Sequence, residues 1–310
     1  YSGATVGWTP ASDIVSALEP VAPSTQKAIF GYGAAASKVS LTNLVSSSGV
    51  VAADTTGVGT ARGDLAAAGY GSDKAIFGYG RTGSSLSLTN LVNNSGVVAA
   101  DVSGVGTARY YLAAAGYGGD KAIFGYGTTG SYSSLTNLVS SSGVVATDTT
   151  GVGTARGYVA GVSYGGDKAL FAYGYTGSNV SMSNLISNLG VVSADVTGVG
   201  TARGYLAAAS YDTDKAIFGY GYNGSANLSM SNLVSNNGIV ASDVSGVGTA
   251  RRQLGAAGYG GDKAIFAYGK AGAFTSIKNL VNSSGVIAAD VTGVGTAREA
   301  IAAAGYSISA

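Results

Sequence analysis

Three features of the sequence predict an all-β fold, a six-bladed β-propeller with four-stranded blades of about 47 residues. First, "KAIFGYG" begins at Lys27, and near-copies begin at Lys74, Lys121, Lys168, Lys215 and Lys263, in four steps of 47 residues and one of 48. Second, "GVGTAR" recurs six times, with its arginine at Arg62, Arg109, Arg156, Arg203, Arg251 and Arg298. Third, each unit is a series of short apolar or alternating segments broken by Gly and Ser clusters, the pattern of strands and turns. Periods of roughly 40–50 residues belong to propellers or helical arrays. Arrays need long amphipathic helices, which Gly-rich segments this short cannot supply.

The elements follow in order. "KAIFGYG" is apolar on both faces, as expected of a strand sandwiched between neighbouring sheets. "SLTNLV" and "VVAADT" flank a Ser/Gly turn and read as two outer strands. "LAAAGYG" favours helix by propensity, but it is short, ends in Gly-Tyr-Gly and reads as an inner strand, where small residues permit close packing. The first "KAIFGYG" has no such strand before it, and the last unit ends "IAAAGYS" with no "KAIFGYG" after it. The C-terminal strand is therefore expected to complete the N-terminal blade and close the ring, leaving no exposed terminal edge. Residues 27–310 form the repeat domain and 1–26 an N-terminal extension. In that extension Thr9–Pro20 reads as a short helix with Ser12 as N-cap and Pro20 as stop, a cap for the ring or an attachment to a larger assembly.

Composition excludes several functions. The chain has 310 residues with Lys+Arg 17 and Asp+Glu 16, so it lacks the basic balance that nucleic acid demands. Without Cys or His, thiolate zinc sites, disulfides, Ser-His-Asp triads and Cys-His nucleophiles are ruled out. No run of 18 apolar residues could span a membrane. The glycines of "GVGTARG" suggest a dinucleotide loop, but such a loop occurs once per domain, between a strand and a helix. Here the pattern occurs six times and its third glycine, Gly63, is Tyr110, Arg252 or Glu299 in other copies. They read as scaffold, and no cofactor is expected.

The unit resembles the kelch repeat. In that family an arginine precedes a small-residue inner strand, Gly-Gly ends the second strand, and two outer strands lead back to arginine. Here Arg62 precedes "LAAAGYG", "KAIFGYG" carries Gly-Tyr-Gly, "SLSLTNLV" and "GVVAADV" follow, and "GVGTAR" returns to arginine. The outer-strand tryptophan of the family is missing. The resemblance covers 27–306 and implies a propeller. Repeats of this wording also resemble those of phage-encoded and environmental-virus proteins. Kelch-like propellers include a copper-radical oxidase, whose chemistry wants the His and Cys that are absent here.

Most charge belongs to the scaffold. An Asp stands eight residues before each repeat arginine, at Asp54, Asp101, Asp148, Asp195, Asp243 and Asp290. Ion pairs and charge-assisted hydrogen bonds clamping the blades are the reading for these acids and their arginines. One Asp per loop is a thin ligand set for calcium, and no metal is expected. The repeat tyrosines and phenylalanines, such as Tyr32, Tyr79, Tyr70, Phe30 and Phe77, read as core between blades.

Copies differ in two places, and variable loops on a rigid scaffold are where binding usually resides. One set follows "GYG": Arg81, Tyr132, Tyr175, Tyr222, Asn223, Lys270 and Phe274. The other follows the repeat arginine: Tyr110, Tyr111, Tyr158, Tyr205, Arg252 and Gln253. Aromatics among Asn, Gly and Ser suit a glycan or protein surface. The expected function is thus a non-enzymatic binding or structural module, extracellular or virion-associated. The alternatives are a purely architectural part of a fibre or coat, and a glycosidase using Asp64 and Glu299, acids of predicted neighbouring blades.

Overall fold

The structure, a computed structural model, describes residues 26–307. The helix expected at 9–20 lies outside them. The described residues are all-β, without a helix, and hold six three-stranded antiparallel sheets. Five sheets are consecutive in sequence. Their inner, middle and third strands are Ala66–Tyr70, Lys74–Gly78, Thr89–Val92; Ala113–Tyr117, Lys121–Gly125, Thr136–Val139; Ala160–Tyr164, Lys168–Tyr175, Asn179–Ile186; Ala207–Tyr211, Lys215–Gly219, Ser231–Val234; and Gly255–Tyr259, Lys263–Ala267, Lys278–Val281. The remaining sheet joins the two ends of the chain. The C-terminal strand Ala302–Tyr306 pairs antiparallel with Lys27–Gly31, Lys27 opposite Tyr306 and Gly31 opposite Ala302, and Thr42–Val45 lies on the other side. The alanine run is strand, as its glycine-bounded length implied.

The fourth strand of each unit differs from expectation. Residues 51–55 meet the third strand only at two isolated bridges, Val45↔Val51 and Thr42↔Thr55, and all six copies repeat this. Between those bridges the third strand advances three residues and the edge segment four. The extra residue breaks the ladder, as in a β-bulge. It also turns Asp54 so that Asn43 Nδ2 donates to its Oδ1 at 2.9 Å across the gap. The edge thus gives up a regular ladder to aim one carboxylate.

Hydrophobic cores lie between sheets. Ile29 and Tyr32 of the first sheet pack with Leu65, Ala75, Phe77 and Val92 of the second, and corresponding clusters join each consecutive pair. A further cluster sets Ile265, Tyr259 and Tyr268 of the last sheet against Ala28, Phe30 and Ile301. The tyrosine and phenylalanine of adjacent copies meet edge to face, as with Tyr32 and Phe77 at 5.2 Å between ring centroids. Inner strands also lie side by side, with Ala302–Tyr306 beside both Ala66–Tyr70 and Gly255–Tyr259. Small residues suit this close approach. A Cβ on Gly69 would lie 3.3 Å from the Gly305 carbonyl oxygen. Where serine replaces glycine, its hydroxyl donates to the neighbouring strand, Ser163 Oγ to Gly116 O at 2.8 Å.

Backbone hydrogen bonds join the sheets where the inner strands end. Gly71 N donates to Asp120 O, Gly118 N to Asp167 O, Gly165 N to Asp214 O, Asp212 N to Asp262 O, Gly260 N to Gln26 O and Ser307 N to Asp73 O, at 2.7–2.9 Å.

Every repeat arginine is fully buried. Arg62 Nε donates to Tyr79 O at 2.8 Å, Nη1 to Thr60 O at 3.1 Å and Nη2 to Asn90 Oδ1 at 2.7 Å. Its guanidinium lies 4.3 Å from the ring centroid of Tyr32, a residue of the preceding sheet. Asn90 Nδ2 donates to Asp101 Oδ1 at 2.9 Å, and Thr60 N and Oγ1 donate to Asp101 Oδ2 at 3.0 and 2.6 Å. The expected clamp is thus real but crosses copies: the Asp of one unit serves the Arg of the unit before. Asp54 closes the series by receiving Thr296 and facing Arg298 at 3.8 Å. Partial burial alone would raise the Asp101 carboxyl, but the bonds from Thr60 and Asn90 outweigh it and hold it below the ordinary carboxylate range. The glycines of "GVG" belong to the same packing. A Cβ on Gly59, whose φ is +75°, would fall 2.3 Å from Asp101 Oδ1.

The repeat Asp–Lys neighbours, such as Asp120 and Lys121, are exposed pairs on the surface and add little. Arg156→Met should therefore lower unfolding stability by about 3–5 kcal/mol, because Asn184 Oδ1, Tyr173 O and Asp195 lose their buried partner. Lys121→Met should leave the urea midpoint unchanged. Equal midpoints for the two variants would refute the structural role of the arginine.

Candidate functional site

The two variable sets meet. Backbone hydrogen bonds pair the residue after each arginine with the residue after its own "GYG". Gly63 N donates to Arg81 O at 3.1 Å and Arg81 N to Gly63 O at 2.9 Å. Tyr110 pairs likewise with Thr128, Gly157 with Tyr175, Gly204 with Tyr222, Arg252 with Lys270 and Glu299 with Ala34. Loops far apart in sequence thus occupy one end of the inner strands.

Two residues after each arginine stands a rim residue: Asp64, Tyr111, Tyr158, Tyr205, Gln253 or Ala300. All six have positive φ, between 53° and 59°, a conformation costing a non-glycine residue about 1 kcal/mol or more. Hydrogen bonds between neighbouring copies hold them there. Tyr111 N donates to Asp64 O, Tyr158 N to Tyr111 O, Gln253 N to Tyr205 O, Ala300 N to Gln253 O and Asp64 N to Ala300 O, at 2.8–3.0 Å. The rim surrounds a pocket of about 130 Å³ floored by the first residues of all six inner strands, among them Ala66, Ala113, Ala160 and Ala207. A pocket at the opposite ends of these strands is lined largely by repeat residues such as Gly69, Tyr70, Lys74, Tyr117 and Lys121. Variation is concentrated at one end.

Variation there is also sorted. One side is aromatic. Tyr111, Tyr158 and Tyr205 form one cluster: Tyr158 lies 4.0 and 4.1 Å from the other two with tilted planes, and Tyr111 and Tyr205 meet edge to face at 5.6 Å. Tyr110 packs on Tyr111 at 4.8 Å, and Tyr132 and Tyr175 meet at 6.0 Å. Burial pushes the phenols of Tyr111 and Tyr205 well above the ordinary tyrosine range, and a hydrogen bond with Tyr158 adds to the rise at Tyr205. They stay neutral near neutral pH.

The other side is ionic. Arg81 Nε donates to Asp64 Oδ2 at 2.7 Å and its Nη2 to the Tyr111 hydroxyl at 2.6 Å, while the guanidinium lies over Tyr110 at 4.4 Å. Lys38 lies 3.7 Å from Asp64, and Gln253 Nε2 donates to Asp64 Oδ1 at 3.4 Å. Arg252 lies over the Tyr222 ring at 4.7 Å. Lys270 Nζ is 4.0 Å from Glu299 Oε1 and 5.5 Å from the Phe274 centroid. Two buried side-chain acceptors, Asn227 Oδ1 and Glu299 Oε2, have no hydrogen-bond partner among the described residues.

Sequence reasoning located most of these residues without their roles. Asn223 shapes its loop, since its Oδ1 accepts from Ser225 N and Ala226 N. Lys38 and Asn227 escaped notice, although both stand in the variable stretches "ASKVS" and "GSANLS". The asparagine that binds each buried arginine was also missed, though "NL" recurs in all six copies, after Thr or Ser in five and after Lys278 in the sixth.

Compared with known proteins, the chain matches no protein-family model and no curated sequence. The kelch resemblance therefore rests on the repeat pattern alone.

Burial raises the Glu299 carboxyl above its ordinary range, more than nearby Lys270 lowers it. A raised folded-state value contributes stability below the unfolded value, about pH 4.3, and loses it as pH rises through the folded one. Glu299→Gln should therefore melt higher than the parent protein near neutral pH and match it near pH 4. An equal or lower melt near neutral pH would contradict this.

Proposed function

We propose that the six sheets are the blades of a closed propeller and that the chain is a non-catalytic carbohydrate-binding module. Closure is supported by the pairing of Ala302–Tyr306 with Lys27–Gly31 and by the inter-sheet hydrogen bonds that run through all six sheets and return from Ser307 to Asp73. In that reading the bulged segment at 51–55 is the reduced fourth strand of a kelch-like blade.

The observation that carries the binding reading is the tyrosine cluster beside a polar cluster at the pocket where the copies diverge. Tyrosine faces offer an apolar platform for a sugar ring. The unpartnered acceptors Asn227 Oδ1 and Glu299 Oε2 suit hydroxyl donors, because a buried acceptor left unpaired costs free energy that a ligand hydroxyl restores. A concavity of about 130 Å³ suits one small ring rather than a protein patch, which needs about 800 Å² per partner. A non-catalytic role is favoured over hydrolysis because Asp64 is already engaged by Arg81, Lys38 and Gln253, leaving no second free carboxylate beside Glu299 among the described residues.

One observation favours the architectural alternative. Each copy exposes an aliphatic residue beyond its outer turn, Val50, Val97, Val144, Val191, Ile239 and Val286, at 60–67% of full accessibility. Such a band suits contacts within a fibre or coat. A display role outside a cell or on a virion is compatible with either reading, and residues 1–26 would provide its attachment.

A glycan array probed with the intact chain tests the proposal. Binding is expected, and it should fall at least tenfold in a Tyr158→Ala, Tyr205→Ala double variant that keeps its melting temperature (about 1.4 kcal/mol or more). An array without hits, from protein that assembles into filaments, would favour architecture.

A further inference from the structure

We propose that the ligand is anionic, a carboxylate- or sulfate-bearing oligosaccharide whose charge is received by Arg252 and Lys270 beside the aromatic side of the pocket. The inference rests on the carbohydrate reading and adds the charge class of the sugar.

The argument begins with the partners of each cation at this end of the molecule. Four stand on the ionic side, Lys38, Arg81, Arg252 and Lys270, against two carboxylates, Asp64 and Glu299. Arg81 is committed, with Nε on Asp64 and Nη2 on the Tyr111 hydroxyl. Lys38 shares Asp64. Lys270 reaches only one oxygen of Glu299, at 4.0 Å, the outer limit of an ion pair. Arg252 makes no ion pair among the described residues and rests on the Tyr222 ring. Arg252 and Lys270 thus share the one carboxylate of Glu299, and the excess positive charge of this side lies with them.

These two are not scattered surface cations. Arg252 N donates to Lys270 O at 3.1 Å and Lys270 N to Arg252 O at 2.9 Å, so they stand directly opposite in an antiparallel pair. Side chains so placed leave the same face about 5 Å apart, and like charges there repel. The other five copies carry Gly, Tyr or Glu opposite Arg, Thr, Tyr or Ala at this pair of positions; only this one sets cation against cation. An anion between the two side chains turns that repulsion into attraction, and the planar guanidinium accepts a carboxylate or a sulfate in two-point contact. Both cations are partly exposed, so an incoming ligand can reach them.

The neighbourhood fixes the rest of the ligand. Gln253 N, next to Arg252, donates to Tyr205 O, which places the cation pair at the edge of the tyrosine cluster. Asn227 Nδ2 donates to Lys270 O at 3.2 Å, while Asn227 Oδ1 stays unpaired, as does Glu299 Oε2. Cations, hydroxyl acceptors and aromatic faces thus lie side by side, the complement of a sugar carrying hydroxyls and one anionic group.

The test uses the intact chain on an array of neutral, uronic-acid and sulfated glycans, followed by calorimetry with the best anionic binder and its methyl-esterified or desulfated counterpart. The charged form should bind at least tenfold tighter (about 1.4 kcal/mol), with affinity falling as salt rises. Arg252→Gln combined with Lys270→Gln should erase this preference, so that the charged and neutral forms bind the variant equally. Preference confined to uronic acids or to sulfates supports the proposal and identifies the source of the charge. Equal affinity for charged and neutral forms overturns the anion assignment while leaving the carbohydrate reading intact, a comparison that needs no variant. An array with no hits of any kind overturns both.

Discussion

The buried guanidinium organises this protein. Each repeat arginine is fully enclosed, and a charge removed from water is tolerable only when paired and hydrogen-bonded. That requirement recruits the rest of the unit. The middle strand must break so that the carbonyl of Tyr79 turns toward Arg62, and Tyr79 therefore takes a left-handed conformation with φ of 63°. The third strand must offer Asn90. The edge segment must bulge to deliver Asp101 to Asn90 and Thr60. The preceding sheet must supply the Tyr32 ring. One side chain thus binds segments of two sheets and two copies, so neighbouring sheets cannot be assembled independently.

The same constraint explains where the chain is free to vary. Between each repeat aspartate and the arginine eight residues on, the copies barely differ, and the glycines there pack too closely on their neighbours to carry a side chain. Just past the arginine the backbone is still held, because rim residues hydrogen-bond to each other across sheets, but their side chains point into a pocket that the scaffold does not fill. The outcome is an asymmetric site on a sixfold repeated frame. Three tyrosines occupy successive rim positions, and aspartate, glutamine and alanine occupy the others. Rim φ values agree within a few degrees although the residues range from Ala to Tyr, so the frame sets the geometry and the side chain is left to chemistry.

The repeat, its strands, the tyrosine–phenylalanine packing and both variable sets were legible in the sequence, each for a local reason. Period is arithmetic. The strand signal of "KAIFGYG" comes from unbroken apolarity, and the Gly-Tyr-Gly that ends the alanine run argues against helix. The edge segment misled, because "VVAADT" carries good strand residues and nothing in it announces an extra residue relative to its partner. A bulge is a property of two segments compared, not of one. The asparagine of the third strand was overlooked for a similar reason, since a short polar side chain within a strand takes on meaning only when an arginine 28 residues earlier is placed against it.

The sequence by itself determined that six equivalent units exist, that each is β, and which positions are constrained or free, because repeats within one chain compare themselves. Only the tertiary structure decided which unit answers which. The Asp of one copy serves the Arg of the copy before, and Asp54 reaches Thr296 across 242 residues. It alone also decided that the variable positions separate into an aromatic and an ionic side. Hydrogen bonds and ion pairs act over a few ångströms of space, and which residues come within that reach is set by the packing of sheet against sheet.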